Sequence, residues 1–389
     1  MNPAIIVIAY NRIDSLNRLL HSIESADYPK DTDVKLIISI DRAKDNSNVN
    51  VKEAAEKFLW SHGDKQVVYR EENYGLKKHV LTCGGYSNEY GSVILLEDDL
   101  YVSPSYYLYA RATLDFSEGK DKIGGISLYD HRLNVHVREP FAALNDGSDN
   151  WYFQFASSWG QAFSSDQWNG FWNWFKENDG KDLKDYNMPA NVSGWSDKSW
   201  LKYYIKYLIE TDRYFLYPSI SYTTNFAEEG THARESNCDL QVPLCGRKSD
   251  GLFVFRELNE SQSVYDAFFE NVRLKSVIGR QLDNKSDAEI MIDLYGYRSN
   301  AIDAGTIDML LSPLSLPYKV VKSYGRKLRP ADANIFDDIE GKDFFLYDVK
   351  TTDAPPGVNK VSKLLYNYRA IKVRDMLSII ASRINKGRS

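Results

Sequence analysis

The chain is poor in cysteine, with only Cys83, Cys238 and Cys245 among 389 residues. Three cysteines cannot form a complete disulfide set, and no CxxC or Cys/His cluster suggests zinc, so a reducing compartment is expected. Long apolar runs are also absent: the first, Ala4 to Ala9, is too short for a signal-peptide core or a membrane span. A chain that begins directly on such a run is expected in the cytoplasm. Neither GxGxxG nor GxxxxGK[ST] follows it, which argues against a dinucleotide-binding or P-loop protein. Basic excess is missing too: the formal net charge is −6, so nucleic acid is not expected as a bulk electrostatic partner.

What is present is a chain with ample core, 43% hydrophobic, with 27 tyrosines and 8 tryptophans. The spacing predicts strands at Ala4–Tyr10, Val34–Ile40, Gln66–Arg70 and from Ser92 to the acidic triplet. Between them lie helices at Arg12–Ser25, Val49–Trp60 and Leu76–Tyr86. Strands alternating with helices predict βαβ units, a parallel sheet and ligand binding beyond the carboxyl ends of the strands.

One stretch stands out: Ser92 to Tyr107, SVILLEDDLYVSPSYY, an apolar run ending in Glu97, Asp98 and Asp99. Three adjacent carboxylates at the tip of a buried strand repel one another and lose solvation. A divalent cation with a phosphate-bearing substrate would relieve this, because Mg²⁺ and Mn²⁺ take one or two carboxylates plus substrate oxygens. An acidic strand end facing solvent is the alternative.

AYNRIDSLNRLLHSI, then SID, then VILLEDDLYVSPSYY together resemble the GT-A glycosyltransferases, in particular N-acetylglucosaminyltransferase I and its bacterial relatives, whose segment has the form EDDLxVxPxFF. The resemblance runs from Ala4 to about Glu235. It implies a GT-A, Rossmann-like nucleotide-sugar-binding α/β fold, with a mixed sheet flanked by helices and a smaller C-terminal α/β appendage. The domains expected are 1–236 for transfer, 237–352 for the appendage, and 353–389 for a linker and a basic amphipathic helix.

Carried over residue by residue, the resemblance implies that Asp99 ligates Mn²⁺ (or Mg²⁺). Arg12, Asp41 and His79 would contact the nucleotide, Asp41 at the uridine, and Glu97 and Asp98 would meet the donor's sugar and ribose. On position alone, Arg12 reads equally as a solvated helix residue and His79 as an exposed histidine on an amphipathic helix. Trp159 and Gly160 match a segment read as SSWGWATW in bacterial relatives. There an indole would stack on a sugar ring and a glycine would admit a ligand close to the backbone. Gln161 departs from the aromatic those relatives tend to have. Trp168, Phe171, Trp172 and Phe175 recur at helical spacing and read as core.

GWSDKSWLKYYIKYL resembles the family's WDDW segment, with Asp197 as the base of an inverting transfer. Its alternative is a carboxylate satisfying free donors at a helix start. In YPSISYTTNFAEEGTHARES, Asn225, Gly230, Thr231 and His232 resemble a lid over the diphosphate, with His232 contacting the donor. Glu228 and Glu229 sit awkwardly there, and an ordinary surface loop is the other reading.

After Gly357 the chain carries Lys360, Lys363, Arg369, Lys372, Arg374, Arg383, Lys386 and Arg388 against one acid, Asp375. Such a helix reads as peripheral contact with the inner membrane face or as a solvated terminal helix. The function expected is therefore metal-dependent inverting transfer from a UDP-sugar, with UDP-GlcNAc leading, to a hydroxyl of a glycan or lipid-linked oligosaccharide in bacterial surface polysaccharide synthesis. A non-catalytic nucleotide-sugar- or glycan-binding subunit of the same fold is the alternative.

Overall fold

The computed structural model describes residues 1–30, 32–226, 238–247, 252–282, 288–298 and 306–352. It divides into two units, Met1–Phe269 and Glu270–Ser389.

The first unit opens with β1 (Ala4–Ala9), α1 (Ile13–Glu24), β2 (Leu36–Ile40), α2 (Val49–Lys57), β3 (Lys65–Tyr69), α3 (Gly75–Gly84), α4 (Ser87–Tyr90) and β4 (Ser92–Glu97). β1 pairs in parallel with β2 and β4, and β2 with β3. The expected four-strand sheet is thus present in the order β3-β2-β1-β4. Its apolar strands need cover on both faces, and every residue of β1 and β2 is buried. α1 shows why its sequence folds so: Leu16, Leu19, Leu20 and Ile23 line one buried stripe.

After the triplet come β5 (Leu100–Val102), α5 (Tyr106–Ser117), β6 (Ile123–Ser127), β7 (Leu133–Asn134), β8 (Glu139–Pro140), β9 (Asn150–Phe153), β10 (Gln161–Ser164) and α6 (Ser165–Asn178). They are followed by α7 (Ala190–Ser193), α8 (Leu201–Glu210), β11 (Tyr214–Pro218), β12 (Thr223–Asn225) and β13 (Val264–Tyr265). The sheet grows to nine strands, β13-β9-β11-β6-β10-β4-β1-β2-β3. β10 runs antiparallel between β4 and β6, so the sheet is mixed. Its first residue therefore lies toward the carboxyl ends of both neighbours. A two-stranded ribbon, β5 with β12, extends from the acidic turn.

α6 starts on a capping box: the Ser164 hydroxyl accepts from the Gln167 N–H at 3.2 Å while the Gln167 side-chain oxygen accepts from the Ser164 N–H at 3.0 Å. As expected, Trp168, Phe171 and Phe175 are core, with Tyr204 of α8 stacked 4.0 Å from Phe171; Trp172 is half-buried. Gly84 closes α3 against this layer. A Cβ there would lie 2.1 Å from the buried Trp168 ring. Gly84→Ala would ordinarily favour a helix, but overpacking of this kind costs about 1–3 kcal/mol. A lower urea midpoint with unchanged m-value is expected; a midpoint at or above the wild-type value would show that the Trp168 contact is slack.

The first unit ends after Phe269 rather than near Asn237. The reason is β13, whose Val264 and Tyr265 pair with Tyr152 and Phe153 of β9 and draw the preceding segment into the large sheet. The second unit contains α9 (Leu274–Gln281), β14 (Ile290–Ile292), β15 (Met309–Ser312), β16 (Tyr318–Tyr324), α10 (Ala333–Phe336) and β17 (Phe344–Thr352). Its sheet order is β14-β15-β17-β16 around a core that includes Leu274, Ile278, Leu311 and Phe344. This is the small α/β appendage expected. The basic helix proposed for 353–389 lies outside the described residues.

Candidate active site

The acidic turn is built by the end of β4. Asp98 N–H donates to the Ile8 carbonyl at 3.0 Å, and Tyr10 N–H donates to Asp98 Oδ2 at 3.3 Å, so the turn is tied to the end of β1. Arg12 leans across from the start of α1. Its guanidinium pairs with Asp98 Oδ1 and donates to Asp99 Oδ2 at 3.1 Å. Burial would lower Arg12, but Asp98 and then Asp99 offset it and leave its pKa raised. The solvated-arginine alternative is thereby set aside.

The three acids differ. Burial first, then Asp99 and Asp98, push Glu97 up to about 8. Asp98 is pushed up to about 6, chiefly by burial, with Arg12 opposing. Asp99 keeps one oxygen, Oδ1, buried without a hydrogen-bond partner. Buried carboxylate oxygens are nearly always satisfied, so this atom fits a divalent cation. Among the described residues no group of three or more His, Cys, Asp or Glu side chains could hold a metal. A cation here would take Asp99 and draw its remaining oxygens from substrate and water, the usual arrangement for Mg²⁺ or Mn²⁺ beside phosphates.

Two of the residues expected at the nucleotide bond to groups within the protein. Asp41 is buried, and its carboxylate accepts from the N–H groups of Tyr74 at 2.8 Å, Gly75 at 2.8 Å and Arg42 at 3.0 Å, and from the Asn73 amide at 3.4 Å. It satisfies the orphan donors at the start of α3, and both of its oxygens are engaged within the protein. His79 is not exposed. It is buried with Nε2 2.7 Å from Ser39 Oγ, joining α3 to β2. Burial, then Arg70, lowers its pKa to about 3, so it is neutral at physiological pH.

The loop before β10 brings Trp159 to the same end of the sheet as the triplet. Its half-buried ring lies 4.8 Å from Tyr129 and 5.8 Å from His131, beyond the end of β6. Gly160 has φ +88°, and a Cβ there would meet Thr223 at 2.6 Å. The glycine therefore admits the neighbouring strand at Thr223.

Asp197 stands apart. Its side chain is 96% exposed and pairs with Lys202 Nζ at 2.7 Å, and the hydrogen bond from Lys202 lowers its pKa. It is not a cap: its carboxylate accepts from Lys202 Nζ, while the Ser199 hydroxyl accepts from the Lys202 N–H at 3.4 Å. No contact among the described residues joins it to the acidic turn. His232, with Gly230 and Thr231, lies outside the described residues. Asn225 ends β12 with its Oδ1 buried and unpartnered. A pocket of 280 Å³ lies on the β5–β12 ribbon, lined by Tyr101, Thr224, Asn225, Phe226, Gln241 and Val242. It is small for a whole nucleotide sugar.

Sequence reasoning passed over Asp130 and His131. Asp130 is buried 2.6 Å from Arg132, with its pKa pushed to about 7 by burial against the pull of that cation. His131 is buried, with its pKa lowered to about 3 by burial and then by His136. The adjacent D-H-R was visible in the chain, but nothing local marks two of its members as buried.

Residues 4–118 match the family model described as Glycosyl transferase family 2. No curated protein matches the chain. Among solved structures it is similar to mannosyltransferase PcManGT from Pyrobaculum calidifontis in complex with GDP-Man and Mn²⁺: 16% identity, TM-score 0.30, covering 43% of this chain and 46% of that one. It is also similar to S. aureus TarS 1-349 in complex with UDP-GlcNAc, at 16% identity and TM-score 0.36, covering 59% of this chain and 60% of that one. TarS 1-349 alone gives 13% identity and TM-score 0.35, covering 57% and 59%. The chain thus spans between 46% and 60% of the length of these three structures. The family match falls on the segment that carries β1 to β4, the acidic turn and α5, so residues 4–118 are similar to glycosyl transferase family 2 over the part of the sheet that positions the triplet.

Proposed function

We propose that the chain is a metal-dependent, inverting glycosyltransferase that moves a sugar, with GlcNAc leading, from a UDP-sugar to a hydroxyl of a glycan or lipid-linked oligosaccharide. The observation that carries this reading is the buried, unpartnered Asp99 oxygen in an acidic turn that Arg12 closes from the end of β1. Asp99 would hold Mn²⁺ or Mg²⁺, whose charge offsets that of the donor diphosphate. Arg12 supplies a second positive charge at the same strand ends, and it can exchange its carboxylate partners for phosphate oxygens. Glu97 and Asp98 face the donor's sugar and ribose, Trp159 offers a ring face to the sugar, and His232 approaches the diphosphate.

Asp197, kept ionised by Lys202, removes the proton of the acceptor hydroxyl. The acceptor oxygen then bonds to the anomeric carbon as the bond to the diphosphate breaks on the opposite face, and UDP leaves. Surface polysaccharide assembly on the inner membrane face is the setting that the GT-A resemblance favours. Among the described residues no helix is long and apolar enough to cross a membrane.

A UDP-release screen across UDP-sugars, with Mn²⁺ or with chelator, tests the reading. Release with one or few donors, lost with chelator, is expected. Donor binding without turnover under any condition would instead mark a non-catalytic subunit, and no binding at all would remove the nucleotide site.

A further inference from the structure

The sheet carries a second polar cluster that the transfer chemistry above does not use. β10 places Gln161 opposite Leu95 of β4 on one side and opposite Ser127 of β6 on the other. Directly paired residues, and residues two apart along a strand, share a face. Gln161 therefore stands on the same face as Leu95 and Glu97, at the carboxyl end of the parallel strands. It is 2% exposed, and its side-chain oxygen is buried without a donor.

Beyond β6, His131 is likewise 2% exposed, and both of its ring nitrogens are buried without partners. Rings surround it: Tyr129 at 5.1 Å, Tyr217 at 5.7 Å, Phe155 at 5.7 Å and Trp159 at 5.8 Å. Tyr217 follows Leu216, which pairs with Ile126 of β6, so it lies beside Ser127 on the Gln161 face. Two unpartnered polar side chains in one layer are unusual, since folded proteins satisfy nine in ten or more of such groups. Glu97, at the open side of the layer, also receives no hydrogen bond among the described residues.

We propose that Gln161 and His131 form the polar floor of a subsite for the transferred sugar, with Gln161 accepting from an O–H or amide N–H of that ring. The inference rests on the reading of the acidic turn as a nucleotide-sugar site, and it names what that site selects. An amide, an imidazole and aromatic faces match a neutral polyhydroxylated ring. The subsite therefore takes a neutral hexose or N-acetylhexosamine. A uronic acid would bring its carboxylate toward the Asp98 and Asp99 carboxylates, which already share Arg12 between them.

The full chain with Mn²⁺ provides the test, using Gln161→Met, which keeps the side chain's length and removes its amide. Calorimetry measures affinity for UDP alone and for the UDP-sugar that the wild type turns over fastest, and kinetics gives kcat/KM for that donor and for one differing in a single substituent. UDP affinity is expected to stay within about twofold. The added affinity due to the sugar and kcat/KM should each fall about tenfold, and discrimination between the two donors should shrink with them. Unchanged discrimination together with unchanged sugar affinity overturns the proposal. Failure of the wild type to bind UDP overturns the nucleotide reading beneath it, a different result. A crystal structure of the wild type with its donor answers independently of any variant: the Gln161 amide within about 3.2 Å of a sugar oxygen or nitrogen is expected. A water joining Gln161 only to protein groups overturns it.

Discussion

Asp99→Ala is expected to abolish metal-dependent UDP release, with a loss of at least about a thousandfold in kcat/KM, and to leave a folded protein. The size follows from what the residue does and what its neighbours cannot do. Asp98 is committed to Arg12 and the Tyr10 N–H, and Glu97 is pushed up to about 8, so neither offers an idle anionic oxygen at neutral pH. The thousandfold corresponds to about 4 kcal/mol, within the range for removing one electrostatic partner of a developing charge. Removing Asp99 takes away one of Arg12's two partners and leaves Asp98, so the turn loses a partly exposed ion pair and little stability. The decisive measurement is UDP binding by calorimetry with and without Mn²⁺, beside the turnover assay. Metal-enhanced UDP binding that survives in Asp99→Ala would move the cation site elsewhere.

Asp197→Asn separates binding from transfer. The substitution keeps the shape of the side chain and its contact with Lys202, so donor affinity is expected to match the wild type. Transfer should fall by about a hundredfold to ten-thousandfold, the range for losing a general base. The side chain's exposure makes this test clean, because a group with 96% of its surface in solvent carries little of the fold. The salt bridge to Lys202 lowers its pKa, so it is ionised throughout the neutral range and its activity should not titrate there. Transfer within about twofold of wild type would take Asp197 out of the base role, and the buried Asp130 would become the next carboxylate to replace.

Much of the first hundred residues was legible because the signal there is local. Apolar runs of five or six residues, amphipathic helices and turn residues between them specify a βαβ series, and β1 to β4 fall within two residues of where periodicity sets them. The later sheet was not legible in the same way. β10 is four residues long and sits in a cluster of aromatics, so its membership depends on the edges of β4 and β6 rather than on its own pattern. β13 is shorter still, and its pairing with β9 moved the boundary of the first unit by more than thirty residues.

The site divides along the same line. The triplet announced itself by charge, and Arg12 by its place after β1. Asp41 was marked by its place after β2 and, like His79, by the resemblance. What decided their roles was which N–H groups and hydroxyls surround them, and that is a property of the folded chain. Gly160 shows the same limit: the sequence displays a glycine, while only the fold displays Thr223 against it.

The antiparallel course of β10 bears on where this protein can be cut. The match to the family model stops at residue 118, but β4 at that point would present a largely apolar strand with the backbone groups of one edge unpaired until Gln161–Ser164 arrive. The segment that can be recognised by descent is therefore smaller than the segment that can stand alone. During synthesis β4 must wait, exposed, for a strand more than sixty residues downstream, and that interval is where this chain is most open to association with its own copies.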